Sequence, residues 1–133
     1  MIVVDTNLVV YFWISGERTA HAEAVLRRDA AWAAPVLWRS EFRSALIRLV
    51  RLQAVTLDFA HDVVTRAEQA MSGREYSVVS HRVLTLAERS GCSAYDCEFV
   101  ALAADLGVPL VTSDAHVLRA FPDRAVSPEV FSV

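Results

Sequence analysis

Four acidic residues occupy places where a carboxylate is either costly or strategically set: Asp5, Glu41, Asp96 and Asp114. Asp5 follows the apolar run Ile2-Val3-Val4 and so falls at the carboxyl end of a buried strand, an edge where open α/β sheets build ligand sites. Asp114 closes a second such stretch, Pro109-Leu110-Val111-Thr112-Ser113. Glu41 lies in line with Leu37, Trp38, Ala45, Leu49 and Leu52 at helical spacing, and Asp96 with Phe99, Val100 and Ala103. Each acid has an ordinary explanation when taken alone. Asp5 fits an Asx turn, Glu41 a salt bridge, Asp96 a first-turn dipole contact and Asp114 a helix N-cap. Jointly they suggest one site. Two carboxylates about 4 Å apart repel by roughly 4 kcal/mol at an effective dielectric near 20, so four together protonate or separate unless a cation joins them. Hard carboxylate oxygens select Mg²⁺ or Mn²⁺, and one or two such ions activate water and stabilise the leaving oxygen of a phosphodiester. Glu98 and Asp105 share a different helix face and read as solvated.

Other chemistries lack their residues. His21, His61, His81 and His116 are scattered over predicted helix surfaces and form no ligand spacing. Cys92 and Cys97 match neither a disulfide framework nor a zinc pattern and read as small buried residues in a reducing compartment. There is no glycine-rich phosphate loop and no Gly-x-Ser-x-Gly elbow. The net charge of −3 excludes bulk electrostatic binding of nucleic acid, so any such contact must be local. All 13 basic residues are Arg, a type suited to bidentate phosphate contact. A hydrophobic fraction of 54% leaves apolar surface to spare and points to a partner or self-association. The start of the chain has no positive region and Asp5 interrupts its apolar run, so it does not read as a signal peptide, and a cytoplasmic protein is expected.

The elements that must position these acids follow from periodicity and punctuation. Residues 1–133 read as a single domain. A first strand over Ile2–Val4 leads into a short buried helix or turn from Leu8 to Ile14, with Thr6 or Asn7 as its cap. An amphipathic helix follows over Arg18–Asp29, with Ala20, Ala24 and Val25 apolar, and a strand lies within Ala30–Pro35. The longest helix is predicted over Leu37–Gln53, and the next runs from Thr56 or Asp58 to Met71. A strand over Glu75–Val79 precedes a helix capped by Ser80 and reaching Arg89. Ser93 caps a helix over Ala94–Leu106 that Gly107 closes. Val108–Val111 forms a strand, Ala115–Ala120 a short helix and Ala125–Val126 an edge strand. Strands alternating with helices give an α/β fold with a parallel sheet covered on both faces.

Several short motifs carry a resemblance over essentially the whole length. They are Val4-Asp5-Thr6-Asn7, Ser40-Glu41-Phe42, Tyr95-Asp96-Cys97 with Phe99-Val100-Ala101-Leu102-Ala103, and Leu110-Val111-Thr112-Ser113-Asp114. In order and spacing the chain resembles PIN-domain ribonucleases, specifically the VapC-type toxins of type II toxin–antitoxin systems. The resemblance implies a three-layer α/β/α sandwich with a mostly parallel central sheet and Mg²⁺-dependent cleavage of RNA to 5′-phosphate and 3′-hydroxyl ends. It also implies a homodimer and a cognate antitoxin protein. Asp5 and Asp96 would be the principal metal ligands, with Glu41 and Asp114 completing the catalytic pocket directly or through water. Asn7 and Thr112 would orient them by hydrogen bonds. Cys97 stands where the family often has a small residue. Arg39, Arg43 and Arg82 are candidates for holding the RNA backbone. Two competing expectations are a catalytically silent PIN-like interaction module and another metal-dependent phosphohydrolase. A phospho-acceptor receiver domain is disfavoured by the absence of any Lys.

Overall fold

The computed structural model describes residues 1–133. In chain order the elements are β1 (Ile2–Val4), α1 (Thr6–Trp13), α2 (Thr19–Arg28), β2 (Trp32–Pro35), α3 (Leu37–Arg51), α4 (Leu57–Met71) and β3 (Glu75–Tyr76). They continue with α5 (Ser80–Ser90), α6 (Ala94–Leu106), β4 (Leu110–Val111), α7 (Ala115–Ala120), β5 (Ala125–Val126) and α8 (Pro128–Phe131). The strands form a single five-stranded sheet in the order β3-β2-β1-β4-β5, and every pairing is parallel. β1 is central, with Val3 opposite both Ala33 and Leu110, and its three residues are fully enclosed. This burial explains why Ile2-Val3-Val4 carries no polar alternation.

The strand order fixes where the helices lie. From β1 the chain steps outward to β2 and then β3, and only afterwards returns across the sheet to β4 and β5. Right-handed crossovers therefore put α1 to α4 on one face and α5 to α7 on the other, a three-layer arrangement. Helix α6 packs on β1, β2 and β4 through Cys97, Phe99, Val100, Ala101, Leu102 and Ala103, all buried. The direction of progression reverses between β1 and β4. At such a switch point the loops leaving adjacent strands part to opposite faces, and a crevice opens beyond the strand carboxyl ends.

Most element boundaries follow the sequence reading, and the departures have local causes. α1 begins at Thr6, and its cap is Asp5 rather than Thr6 or Asn7, because the Asp5 carboxylate reaches the Leu8 N–H at 2.8 Å. Val79, not Ser80, holds the N-cap position of α5, and no side chain caps that helix. β3 is two residues instead of five, since the sheet edge offers it one neighbour only. On α2 the buried face is Ala22 and Val25, while Ala20 is exposed. On α3 the core face is Trp38, Phe42 and Leu46, and Leu52 is 65% exposed. Glu41 accordingly lies at the margin of the core and not within it. Helix α8 lies beyond the elements expected from periodicity, and Ser127-Pro128 marks its start: a serine cap, bonded to the Val130 N–H, followed by proline at the first helical position. Gly107 ends α6 with φ of +67°, the left-handed conformation expected of it. Both cysteines are buried and free, and no helix is long and apolar enough to cross a membrane.

Candidate active site

Asp5, Glu41, Asp96 and Asp114 line one cleft, together with Thr6, Asn7, Ala45, Phe99, Leu110, Thr112 and Val117. The cleft occupies the switch point. Asp5 leaves β1, Thr112 and Asp114 leave β4, Glu41 comes from the second turn of α3 and Asp96 from the first turn of α6. Three helices, α1, α6 and α7, begin at this cleft, and the partial positive charge of their first turns offsets some of the acidic charge.

The two strand-terminal acids are helix caps and cleft residues at once. Asp5 Oδ1 accepts from the Leu8 N–H at 2.8 Å, and its Oδ2 accepts from the Thr112 hydroxyl at 2.5 Å. Asp114 Oδ1 accepts from the Val117 N–H at 2.9 Å, and its own N–H donates to the Thr112 hydroxyl oxygen at 3.1 Å. Thr112, 1% exposed, therefore joins both acids and fixes their separation. A cap uses one carboxylate oxygen, so it sets the direction of the other. Asp96 occupies the third position of α6, where its N–H bonds Ser93 Oγ at 3.0 Å, and its side chain turns to the cleft. Glu41 accepts from the Thr6 hydroxyl at 2.7 Å.

Electrostatics separate these groups. Burial lifts the Asp5 carboxyl from its ordinary 3.8 to about 6, against the downward pull of the Thr112 and Leu8 hydrogen bonds, and the charge of Asp114 adds a smaller upward push. Desolvation, more than repulsion among the acids, is thus the principal cost of the carboxylate at Asp5. Glu98 differs from its expected solvated role. It is part-buried, and burial followed by the charge of Glu41 raises its carboxyl above the usual range. Asp105 is exposed and paired with Arg82 at 2.5 Å.

The side-chain oxygens lining the cleft belong to carboxylates, hydroxyls and the Asn7 amide, hard donors that fit a divalent cation. The fit is one of chemistry and direction. No group of three or more His, Cys, Asp or Glu side chains is gathered closely enough to hold an ion by itself. An ion here would take few protein ligands and keep several waters, as Mg²⁺ prefers.

The expected RNA-contacting arginines fall elsewhere, and none lines the cleft. Arg39 is clamped by Glu75 through Nε at 2.6 Å and Nη2 at 2.7 Å, and by Glu68 at 3.0 Å. Its guanidinium joins α3 to α4 and β3, with three of its five N–H donors and its charge taken up by the two glutamates. Arg43 lies 3.8 Å from Glu68, and Arg82 is held by Asp105. Their helix positions were legible, but the acids opposite them come from elements distant in sequence. Asn7 lines the cleft and is exposed, but its side chain makes no hydrogen bond to the acids, so the expected orienting contact is seen for Thr112 and not for Asn7. Thr6 was missed. Its signal was a polar residue at the start of an otherwise apolar helix, and it is buried against Glu41.

The linchpin position of Thr112 gives a test. Thr112→Val keeps the shape but removes the hydroxyl that stabilises ionised Asp5 and accepts from the Asp114 N–H. We expect its cost, about 1–2 kcal/mol, to grow as pH rises through 6, where Asp5 ionises. Urea unfolding of the metal-free protein at pH 5 and pH 8 checks this, and a pH-independent loss would assign Thr112 a packing role alone.

The family model for the PIN domain matches residues 2–122. The chain belongs to the PIN domain family. This PIN domain is 25% identical over 124 residues to Ribonuclease VapC3 of Pyrobaculum aerophilum, an alignment covering 91% of this chain and 95% of that protein. Among solved structures it is similar to PAE2754 from Pyrobaculum aerophilum, with a TM-score of 0.78, 21% identity, and coverage of 98% of this chain and 92% of the other. It is also similar to a chain of a toxin–antitoxin complex from Klebsiella pneumoniae, with a TM-score of 0.67, 18% identity, and coverage of 96% and 98%. These structural likenesses establish the PIN fold for the chain.

Proposed function

We propose that this PIN domain is a divalent-metal-dependent endoribonuclease and the toxin of a type II toxin–antitoxin pair, with Asp5, Glu41, Asp96 and Asp114 as its catalytic and metal-binding set. The observation that carries the reading is the meeting of these four acids, spread from position 5 to position 114, in one cleft at the switch point of the sheet. Two relatives support the biological role: the ribonuclease VapC3 and the toxin–antitoxin complex. A non-catalytic module would have no need to keep an acid desolvated at the cleft floor, which costs stability, and all four acids are present.

Within this reading each residue has a task. The Leu8 N–H and the Thr112 hydroxyl hold Asp5 in one orientation, and the Val117 N–H does the same for Asp114. Thr6 holds Glu41 across the cleft from them. A bound Mg²⁺ or Mn²⁺ supplies Lewis acidity that lowers the pKa of water and neutralises charge on the phosphodiester. The positive first turns of α1, α6 and α7 draw a phosphate toward a cleft whose side chains would repel it. Phe99, Ala45 and Val117 wall the site with apolar surface and strengthen those interactions by excluding water. Exposed Leu57, Phe59, Val79, Leu84 and Tyr95 offer apolar surface for a second copy and for an antitoxin segment.

The purified chain is expected to cut RNA in millimolar Mg²⁺ to fragments with 5′-phosphate ends, to lose that activity in excess chelator, and to regain it when Mg²⁺ is restored. Gel analysis of fragment ends reads the result. Cleavage that persists through chelation would remove the metal from the mechanism.

A further inference from the structure

The acidic cleft poses a problem for a polyanionic substrate, because the strand must be held by cations beside the site and the three arginines first considered are committed to acids or placed away from it. We propose that Arg48 is the phosphate-binding residue that anchors the RNA strand as it leaves the cleft along α3; the proposal rests on the nuclease reading.

Three observations converge on this residue. The first is position. Glu41 and Ala45 line the cleft, and Arg48 continues the same stripe, seven residues from Glu41 and three from Ala45. At about 100° per residue that spacing returns to within roughly 20° of the Glu41 direction, and at 1.5 Å per residue it lies about 10 Å further along the helix. The stripe therefore leads from the site to the arginine over the small Ala45, with no bulky side chain between. The second is availability. Arg48 is exposed and takes part in none of the ion pairs, whereas Arg39, Arg43, Arg66 and Arg82 all do. Arg28, Arg74 and Arg124 are hydrogen-bonded to backbone carbonyls. The third is direction on the helix. Arg51, also exposed and unpaired, lies about 80° from the Glu41 direction against roughly 20° for Arg48, so the charge available beside the cleft on α3 is that of Arg48. Placement in the last turn of α3 gives either arginine a favourable dipole contact, but that contact would be common to both and does not depend on RNA.

The test measures binding of a fluorescein-labelled single-stranded RNA of mixed sequence to the full chain carrying Asp5→Asn, so that binding is read without cleavage. Adding Arg48→Ala should raise Kd about tenfold at low salt and make the salt dependence shallower by about one in the logarithmic slope. Arg48→Lys should recover much of the loss, and Arg51→Ala and Arg89→Ala should change Kd less than twofold. With Asp5 restored, Arg48→Ala should raise KM for RNA with kcat nearly unchanged. An unchanged Kd and slope in Arg48→Ala would overturn the assignment, as would losses of equal size in the Arg51 and Arg89 variants, which would mean diffuse attraction. Retained RNA cleavage by the wild-type chain in those cases would leave the nuclease reading standing. Failure of the wild-type chain to cleave and of the Asp5→Asn chain to bind RNA would overturn both.

Discussion

Asp5→Asn is expected to lower RNA cleavage by about 10²- to 10³-fold and, at the same time, to make the metal-free protein more stable near pH 8. The two effects share one cause. Asp5 is ionised at the cleft floor against its environment, with its carboxyl raised from 3.8 to about 6 chiefly by burial. A group whose folded pKa is raised gives its full stabilisation below its unfolded value and loses it as pH climbs through the folded one. Between pH 3.8 and 6 the wild-type metal-free protein should therefore lose up to about 3 kcal/mol, and the amide variant should lack that slope. The gain at pH 8 will be smaller than the slope alone suggests. The amide oxygen still accepts from the Leu8 N–H, but the Thr112 hydroxyl must turn from donor to acceptor while it also receives the Asp114 N–H. A net gain of about 1–2 kcal/mol follows. Urea titrations of both proteins at pH 4.5 and pH 8, with chelator present, measure it. A variant that is destabilised at both pH values, or that cuts RNA at the wild-type rate, would remove Asp5 from the centre of the site.

The second large effect is thermal. Mn²⁺ or Mg²⁺ at a hundredfold excess over Kd should stabilise the wild-type chain by about 2.7 kcal/mol, a rise in Tm of roughly 10 °C for a domain of this size. The ion compensates the same desolvated charge that the amide substitution removes, so Asp5→Asn should show a small fraction of that shift, and Glu41→Gln an intermediate one. The carboxylates are not drawn together in advance, so part of the binding energy goes into gathering them, and the shift should need millimolar rather than micromolar cation. Scanning calorimetry with and without Mn²⁺ decides the point. Equal shifts in wild type and Asp5→Asn would put the cation elsewhere on the molecule.

The fold was legible because its signals are local. Ile2-Val3-Val4 announced a strand buried on both faces, Ser93 and Gly107 bracketed α6, and Thr56 and Met71 bounded α4, all as found. What went astray depended on neighbours. β3 was expected over five residues and has two, because a single flanking strand pairs with it. The α3 stripe through Leu49 and Leu52 looked like core, but the helix turns Trp38, Phe42 and Leu46 inward, and only the packing of α4 and the sheet selects between two overlapping apolar stripes. Arg39 was an open candidate for RNA until Glu68 and Glu75 closed on it from α4 and β3.

By itself the sequence determined the kinds of groups available and their places on elements: two acids at strand ends, two in early helical turns, and no histidine or cysteine set to rival them. Chain connectivity and hydrogen-bonding chemistry fix such things within a few residues. Tertiary structure alone decided that β1 and β4 lie side by side at the point where the sheet reverses, which brings Thr112 within 2.5 Å of Asp5 across 107 positions of chain. It also decided which charges are cancelled and which remain open, since pairing and desolvation depend on what arrives from the far side of the fold. No local pattern carries that information.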